Sequence, residues 1–347
     1  MEQKSVLITG ASGFFGGILK RRLLAEGFRC TNIDLVPDPD THANLRSVQG
    51  DIRDPELLAK LFEAEHFAAV FHCAALLAHD TIDDNALWTS NVDGTRNLAE
   101  ASLKYGVKKF VFTSTNCLWA SNLGHEVKED EPPNPIELYG RSKLAAEQVL
   151  AEYATDLNVI IIRCPTIIDS GRLGLLAILF EFIEDNKKVW VVGSGSNRYQ
   201  FIYAQDLATA CIQCLDYHHS DLFHIGSDHV VSLRKVYEAV IAAAGTRARV
   251  AQLPKAPTIA AMQLAHKLKV SPLGPYHYRM IAEDFIFDTT HIRRQLAWQP
   301  TLTNEQMMVE AYRYYAAQRA EIHARTDVSA HSRPASMGVI RLLKWFS

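Results

Sequence analysis

The sequence predicts an α/β protein built on a doubly wound parallel sheet, because short apolar runs alternate with longer helical segments over its first two-thirds. The predicted strands are Ser5–Thr9, Cys30–Asp34, Ala69–His72, Lys109–Thr113 and Asn158–Arg163. The helices predicted between them are Gly16–Glu26, Pro55–Glu63, Ala86–Tyr105 and Ser142–Thr155. A sheet of this kind binds its ligand in the crevice at the carboxyl ends of its strands.

Composition narrows the class of protein. With 347 residues the chain is long enough for a large α/β domain and a second lobe, and a net charge of −3 gives no basic surface that would attract nucleic acid. Its N-terminus runs directly into the first strand, so we expect no secretory signal. Apolar runs fall short of the roughly 18 residues that a membrane span requires.

Cysteine usage favours a reducing compartment. Six cysteines lie at irregular spacings in a chain too large to need disulfides, so we expect reduced thiols and a cytoplasmic location. The CxxC pair Cys211 and Cys214 lies in an apolar helical stretch without a second pair to complete a zinc site. We therefore expect both side chains in the core and predict no metal site.

A glycine-rich turn follows the first predicted strand and opens directly into a helix. Its spacing is GxxGxxG, in which Gly10 allows the tight turn, Gly13 lets the backbone approach a pyrophosphate, and Gly16 lets helix and strand pack closely. The helix N-terminus supplies N–H donors and the positive end of a dipole. The dinucleotide-binding residues predicted for this turn are Gly10, Ser12, Gly13, Phe14, Phe15 and Gly16.

An acidic residue ends the second predicted strand, about 20 residues beyond the glycines. There Asp34 is placed to accept hydrogen bonds from the adenosine ribose, and a carboxylate repels a 2′-phosphate, so we predict NAD rather than NADP. The alternative is a solvated turn residue. Asp51 and Ile52, at the end of a third short strand, are predicted beside the adenine.

After residue 165 the pattern changes and predicts a second, smaller lobe. An amphipathic stretch, Leu173–Glu184, precedes a strand-like run at Val189–Val192. From residue 230 onward the sequence is mostly helical, and we expect breaks at Pro254, Pro257, Pro272 and Pro275. We assign residues 1–165, with return segments near 199–226, to a Rossmann-type domain and residues 166–325 to an interleaved, mostly helical substrate lobe.

A tyrosine and a lysine lie one helical turn apart, at Tyr139 and Lys143. Hydride transfer at a C–OH carbon needs a group that takes or returns the hydroxyl proton. A tyrosine with its ordinary pKa near 10 is a poor base at neutral pH, and a neighbouring ammonium stabilises the phenolate. The pair is therefore the candidate acid–base couple, although such a spacing also occurs on plain helices.

Together these features resemble the extended short-chain dehydrogenase/reductase family, over most of the chain. The motifs that match, in order, are Gly10-x-x-Gly13-x-x-Gly16, Asp51-Ile52, His72-Cys73-Ala74-Ala75, Asn91-Val92-x-Gly94-Thr95, Thr113–Thr115, Tyr139-x-x-x-Lys143, Arg163-x-Pro165, and Arg198 ahead of Phe201-Ile202-Tyr203-x-x-Asp206. A run of motifs in this order is specific. The resemblance implies an NAD-dependent enzyme that acts on a small-molecule substrate.

The resemblance also implies roles for the catalytic residues. Tyr139 would be the general acid and base, Lys143 would tune it and bind the nicotinamide ribose, and Thr115 would hydrogen-bond the substrate oxygen. Asn116, next to Thr115, and Arg198, which would contact a diphosphate, are the other predicted substrate-binding residues. A structural salt bridge is the alternative for Arg198.

Four further residues would line the cofactor by the same resemblance. Ala74 and Ala75 would supply small side chains and backbone beside the pyrophosphate, and Pro165 would place the loop beyond it over the nicotinamide. Asn91 is expected mainly as helix scaffold near the site, with a catalytic role as the alternative.

The residues after Thr115 bear on the type of reaction. Sugar 4,6-dehydratases of the resembled family have Asp-Glu there, whereas this chain has Asn116-Cys117, so we do not expect that elimination. Cys117 occupies the place of an acid–base cysteine in related epimerase-reductases, but no histidine partner is evident. We therefore expect a packing role for Cys117, with acid–base catalysis as the alternative.

The simplest chemistry that Tyr139, Lys143 and Thr115 support is epimerisation of a nucleoside-diphosphate sugar through a transient keto sugar. Sugar-nucleotide epimerases usually have an asparagine shortly after the residue equivalent to Arg163, and this chain has none. That stretch is similar to hydroxysteroid dehydrogenases or to epimerases of lipid-linked sugars. A dehydrogenase or ketoreductase of a lipophilic alcohol is therefore the main alternative, and a cofactor sensor without turnover is a third.

The C-terminal residues 326–347 comprise a linker and, from residue 338, a short apolar and basic segment. This segment either packs on its own domain or a partner subunit, or anchors at a membrane surface through Trp345 and Phe346. The helices Ala86–Tyr105 and Ser142–Thr155 are similar to those that form a four-helix dimer interface in the resembled family, so we expect a homodimer.

Overall fold

The computed structural model describes residues 4–77, 83–119, 123–268 and 280–324. The strands in these ranges are β1 (Ser5–Thr9), β2 (Arg29–Asp34), β3 (Leu45–Gln49), β4 (Ala69–His72), β5 (Lys109–Thr115), β6 (Asn158–Cys164), β7 (Thr166–Ile168), β8 (Lys188–Val192), β9 (Phe201–Tyr203), β10 (Asp221–His224) and β11 (Arg249–Leu253). Seven of them form a parallel sheet in the order β10-β6-β5-β4-β1-β2-β3. The strand order reverses between β1 and β4, which opens a crevice at their carboxyl ends.

Helices lie between and beyond these strands. They are α1 (Phe14–Ala25), α2 (Pro55–Ala64), α3 (Asp84–Trp88), α4 (Gly94–Lys104), α5 (Leu138–Ala151), α6 (Leu175–Glu184), α7 (Ala204–Gln213), α8 (Leu233–Ala244), α9 (Lys255–Lys267), α10 (Thr290–Leu296) and α11 (Asn304–Ala324). A π-helical turn, Thr89–Asp93, joins α3 to α4.

Both faces of the central sheet are covered, because its strands are apolar on both sides. Every residue of β1 and β4 is buried, as expected of a parallel sheet between two layers of helices. Residues of α1 and α7 pack on one face, and residues of α2, α4 and α5 pack on the other. Cys211 and Cys214 are buried in the first of these cores, as predicted.

The C-terminal part of the chain builds a separate apolar core. Helices α6, α8 and α11 enclose it, with Phe180, Tyr312 and Tyr315 among its large side chains. The parallel strand pairs β7–β9 and β8–β11 lie at its edge. Strand β10 follows this excursion and returns to pair with β6 in the central sheet. The domain boundary at residue 165 stays a prediction.

The predicted elements of the sheet are confirmed, and two of the predicted helices need correction. Helix α5 begins at Leu138 rather than Ser142, so Tyr139 and Lys143 both lie within it. The predicted helix Ala86–Tyr105 is interrupted by the π-helical turn. That irregularity has no periodic signal in the sequence, because it depends on contacts with the segment after β4.

The lobe differs from its prediction at two points. Pro257 does not break a helix, because it lies in the first turn of α9, where a missing N–H leaves no hydrogen bond unmade. Strand β11 was not expected within the helical region. Pro272, Pro275 and residues 326–347 lie outside the described residues. Among the residues that are described, every helix is too short or too polar to cross a bilayer.

Candidate active site

The glycine turn and the start of α1 approach the end of β1 at a distance that only glycine permits. Gly10 has a φ of +76°, and a Cβ there would lie 2.7 Å from the Ala74 nitrogen. A Cβ on Gly16 would lie 2.3 Å from the Gly10 carbonyl oxygen. Gly13 offers α1 no side-chain cap, and the first turn contains no acidic residue. The uncapped, positive end of α1 therefore fits a dinucleotide pyrophosphate.

Asp34 lies beside this turn at the end of β2. Its carboxylate accepts hydrogen bonds from the Ser12 N–H at 3.0 Å and from the Val36 N–H at 3.2 Å. Asn32 donates to the Ser12 hydroxyl at 3.0 Å and to Asp38 at 2.7 Å, which ties the glycine turn to the loop after β2. Asp34 is thus held at the crevice, with acceptor capacity left for ribose hydroxyls.

Asp51 and Ile52 follow β3 and make contacts within the protein. The Arg53 guanidinium donates to the Asp51 carboxylate at 2.6 Å and lowers the pKa of that carboxyl. Ile52 is buried against α4, where a Cβ on Gly94 would lie 2.7 Å from its side chain. The predicted position of this pair beside adenine stays a prediction.

A chain of buried hydrogen bonds runs from the crevice to α4. The Ala74 N–H donates to Thr9 Oγ1 at 3.1 Å, and that hydroxyl lies 2.7 Å from His72 Nδ1. His72 Nε2 lies 2.9 Å from Thr95 Oγ1, whose proton is donated to the Asn91 carbonyl. Thr95 can therefore only accept from His72, which requires the Nε2–H tautomer. Burial lowers the pKa of His72 well below its usual value, so the ring is neutral.

The Asn91 amide joins two further elements. Its oxygen accepts the Leu76 N–H at 2.8 Å, and its nitrogen donates to the Leu76 carbonyl and to Ser142 Oγ, both at 3.0 Å. The Ser142 hydroxyl donates to the Tyr139 carbonyl at 2.8 Å. Asn91 lies in the π-helical turn, a feature frequent at functional sites. It therefore ties the segment after β4 to the first turn of α5.

Tyr139 lies in that first turn, next to the end of β5. Thr115, the last residue of β5, accepts the Cys117 N–H at 3.1 Å and is near enough to Tyr139 to affect the pKa of its phenol. The approach depends on Gly140, because a Cβ there would lie 2.3 Å from the Cys117 carbonyl oxygen. Burial raises the pKa of the Tyr139 phenol, whereas the charge of Arg172 and the Thr115 hydrogen bond lower it.

Lys143 is buried one turn further along α5. Its ammonium donates to the Thr113 carbonyl at 2.6 Å and lies 3.8 Å from the centre of the Phe112 ring. Burial disfavours the cation and lowers the pKa of Lys143 to about 8, and the nearby Glu147 partly offsets this effect. The lysine is therefore charged at neutral pH but close to its titration range.

Glu147, a further turn along α5, forms a buried ion pair with Arg163 of β6. The guanidinium contacts both carboxylate oxygens, with a closest distance of 2.7 Å. Pro165 is buried directly after β6, where the chain turns into β7. The pair fixes α5 against the strand that leads to the lobe.

Asn116 and Arg198, predicted to bind substrate, differ in their surroundings. The Asn116 amide is buried and donates to the Tyr199 hydroxyl at 2.5 Å, which connects β5 to the lobe. The Arg198 side chain is 55% exposed, with its Nε 3.9 Å from the Asp284 carboxylate. The salt bridge that was the alternative for Arg198 is present as a long, exposed contact. The contact of Arg198 with a substrate phosphate stays a prediction.

The structure brings together residues from several distant motifs. The residues that meet at the crevice are Gly10, Gly13, Gly16, Asp34, Ala74, Thr115, Tyr139 and Lys143. Sequence reasoning assigned no role to His72, Gly140 or Arg172. His72 lay within a motif and Gly140 next to Tyr139, whereas Arg172 had no local signal. The described residues contain no cluster of side chains that could hold a metal ion.

A doubly wound sheet with a glycine turn at its switch point defines the class of dinucleotide-dependent α/β enzymes. Within this class, the chain belongs to the NAD-dependent epimerase/dehydratase family, whose model matches residues 6–226. It is thus an NAD-dependent enzyme of that family, and the resemblance seen in the sequence is confirmed.

Relatives and solved structures agree with this assignment. The chain is 34% identical to the uncharacterized protein y4nG of Sinorhizobium fredii, over 99% of this chain and 86% of the relative. It is 29% identical to a UDP-glucose 4-epimerase of Mycolicibacterium smegmatis, over 69% of this chain and 82% of the relative. A crystal structure of UDP-glucose 4-epimerase from Thermotoga maritima with UDP-glucose has the same fold, with a TM-score of 0.76 at 21% identity, over 91% of this chain and 99% of that one.

Proposed function

We propose that the protein is an epimerase of a nucleoside-diphosphate sugar, which it oxidises transiently to a keto sugar at C4. The observation that supports this most is that Tyr139 lies in the first turn of α5, near Thr115 at the end of β5 and one turn from Lys143. The chain has Asn116-Cys117 where a dehydratase would need a second acid–base pair. Relatives in the family include UDP-glucose 4-epimerases.

The proposed chemistry needs few side chains. Tyr139 takes the proton of the C4 hydroxyl as hydride leaves that carbon, and it returns the proton when hydride comes back to the other face. Thr115 holds the substrate oxygen. NAD, when bound, would supply the acceptor and donor of the hydride. Burial raises the pKa of Tyr139 and the charge of Arg172 lowers it. Positive charge from Lys143, one helical turn away, would favour the phenolate further.

The cofactor would occupy the crevice from β2 to α5. The glycine turn and the N-terminus of α1 would hold the pyrophosphate, with Asp34 on the adenosine ribose and Lys143 on the nicotinamide ribose. The crowding at Gly10 and Gly16 supports this placement, since a side chain there would push apart the backbone segments that form the turn. Arg198 would contact the substrate diphosphate at the lobe.

The test is an isomerisation assay in heavy water. The purified protein is incubated with UDP-glucose, UDP-N-acetylglucosamine or UDP-glucuronic acid, and products are followed by NMR. We expect the C4 epimer without solvent deuterium, because hydride returns to the carbon it left. Deuterium in the product would instead indicate exchange next to a ketone and would assign acid–base catalysis to Cys117.

The released cofactor separates the epimerase from the main alternative. We expect desalted, denatured protein to release close to one NAD per chain, since an epimerase regenerates its cofactor within each turnover. An empty protein that reduces added NAD in proportion to a lipophilic alcohol would contradict the proposal and establish a dehydrogenase.

We also infer a homodimer through the outer surface of α3, α4 and α5. Trp88 is 38% exposed on α3 and Leu103 is 40% exposed on α4, beside the packed pair α4 and α5. Large exposed apolar side chains next to an amphipathic helix pair are typical of a subunit interface. Light scattering that gives the mass of a monomer would contradict this inference.

A further inference from the structure

Arg172 lies in the loop between β7 and α6, which is shaped by two glycines. Gly171 has a φ of +85° and Gly174 a φ of +50°, values in the left-handed region that favours glycine. Any other residue at these two positions would strain the loop. The path of the chain around Arg172 is therefore specified by its immediate neighbours.

The base of this loop is held by buried contacts. The Arg172 N–H donates to the Asp169 carbonyl at 3.0 Å. The buried Asp169 carboxylate accepts the Ser170 N–H at 2.6 Å and the Gln205 amide at 3.0 Å. A Cβ on Gly171 would lie 3.8 Å from the Tyr314 ring, so the loop also rests on α11 of the lobe. Arg172 is thus presented from a supported position.

The Arg172 side chain reaches across to the cofactor half. Its guanidinium carbon lies 5.8 Å from the centre of the Phe14 ring, and Phe14 is the first residue of α1. This is the helix end whose uncapped N–H groups fit a pyrophosphate. The charge of Arg172 also lowers the pKa of the Tyr139 phenol. A single cation is therefore near both the pyrophosphate position and the catalytic tyrosine.

We propose that Arg172 retains the dinucleotide, by contacting its pyrophosphate opposite the N-terminus of α1. A pyrophosphate bears two negative charges, and a planar guanidinium pairs with phosphate oxygens more strongly than a neutral donor does. Because Arg172 belongs to the lobe, the contact also links cofactor and lobe across the crevice. This inference rests on the NAD dependence of the family and goes beyond the sugar substrate proposed above.

Retention has a consequence for the type of reaction. An epimerase must keep its cofactor through both hydride transfers, whereas a dehydrogenase must exchange it in every turnover. A cation that slows release favours the first kind of enzyme. The two proposals remain separable, because cofactor binding is measured without any sugar present.

The test compares Arg172→Ala and Arg172→Gln with Arg313→Ala, an exposed arginine of α11 that pairs only locally with Glu310. For each protein we would measure the NAD released on denaturation after gel filtration, and the Kd of NADH by fluorescence titration at several salt concentrations. Circular dichroism and thermal unfolding check the fold, and Arg172→Gln keeps most of the side-chain length if the alanine variant does not fold.

The expected result is a Kd raised by about tenfold to a hundredfold in both Arg172 variants, the range for loss of a charge-assisted contact. NAD should be lost on gel filtration, and the salt dependence of the Kd should become shallower. Arg313→Ala should behave as the unaltered protein does. An unchanged Kd in folded Arg172 variants would overturn the proposal. If those variants with an unchanged Kd also had a raised KM for the sugar nucleotide, the charge of the arginine would be assigned to the substrate.

Discussion

The two walls of the crevice are built differently. On the sheet side, the glycine turn, β5 and α5 present backbone groups and buried side chains whose positions follow from close packing, as at Gly16 and Gly140. On the lobe side, Arg172 reaches Phe14 from a loop, and Arg198 lies on another loop with its side chain 55% exposed. The sheet side has almost no freedom to change, whereas the lobe side presents a half-buried Arg172 and an exposed Arg198.

This difference separates two tasks. Hydride chemistry needs the nicotinamide, the tyrosine and the reacting carbon within a fraction of an ångström of their productive positions, and packed secondary structure provides that precision. Recognition of a substrate tolerates more variation, and loops on a scaffold allow it. Within one family, the sheet side is therefore expected to determine the cofactor and the reaction, and the lobe side to determine the substrate. The following experiments test that division.

The largest effect is expected from Tyr139→Phe, which removes the proton-transferring hydroxyl from the rigid wall. Turnover should fall by about 100-fold or more, with bound NAD unchanged, since general acid–base catalysis contributes on the order of 10² to 10⁴. Tyr153→Phe, just beyond α5, where the hydroxyl only contacts exposed Glu100 and Arg96, is the matched control. Unchanged turnover in Tyr139→Phe would remove the tyrosine from the mechanism.

Gly16→Ala tests whether the sheet wall tolerates any side chain. Its Cβ would lie 2.3 Å from the Gly10 carbonyl oxygen. Because a packed backbone atom cannot move without displacing its neighbours, α1 should shift and most of the bound NAD should be lost. Gly17→Ala, one residue on, places its Cβ at 3.3 Å from a carbonyl oxygen and should retain the cofactor. Equal NAD content in the two variants would show that the wall is more adaptable than its packing suggests.

Asn91→Ala tests the hydrogen bonds that join the π-helical turn to the segment after β4 and to the first turn of α5. Three bonds to Leu76 and Ser142 would be lost, which leaves buried backbone groups unpaired and should cost about 1–3 kcal/mol of stability. Turnover should fall by about tenfold, because the first turn of α5 is less firmly positioned. Asn97→Ala, which removes a single 3.3 Å bond on α4, is the control. Equal kcat values for the two variants would count against a positioning role.

The smallest effect expected is in the pH profile. Lys143 is charged below its pKa of about 8 and loses its proton as the pH rises through that value. The ammonium form supports the phenolate, so kcat/KM should fall to about half near pH 8 and decline further above it. Lys143→Arg should move this limb to higher pH, because a guanidinium stays protonated. Lys60→Arg, on the exposed side of α2, should leave the profile unchanged.

The accuracy of the sequence predictions follows the same division. Five strands of the sheet, with Asp34 at the end of one of them, and the glycine turn were predicted with nearly correct boundaries, because each is specified within a short segment. The start of α5 was misplaced at Ser142, so Gly140 lay outside the predicted helix. In the structure this glycine is needed in the first turn, where a carbonyl from the segment after β5 occupies the space of a side chain.

The sequence by itself specifies the turn at Gly10, the start of α1 and the helical spacing of Tyr139 and Lys143, because backbone conformation, helix dipole and helical spacing are local properties. The chain of hydrogen bonds through His72, the partner of Asn116 and the reach of Arg172 to Phe14 were established by the folded structure alone. The residues that they join, Thr9 and His72, Asn116 and Tyr199, and Phe14 and Arg172, are 63, 83 and 158 positions apart in the sequence. No period or motif specifies such a contact. Pairing of β1 with β4 brings Thr9 to His72, and packing of the lobe on the sheet brings the other two pairs of side chains together.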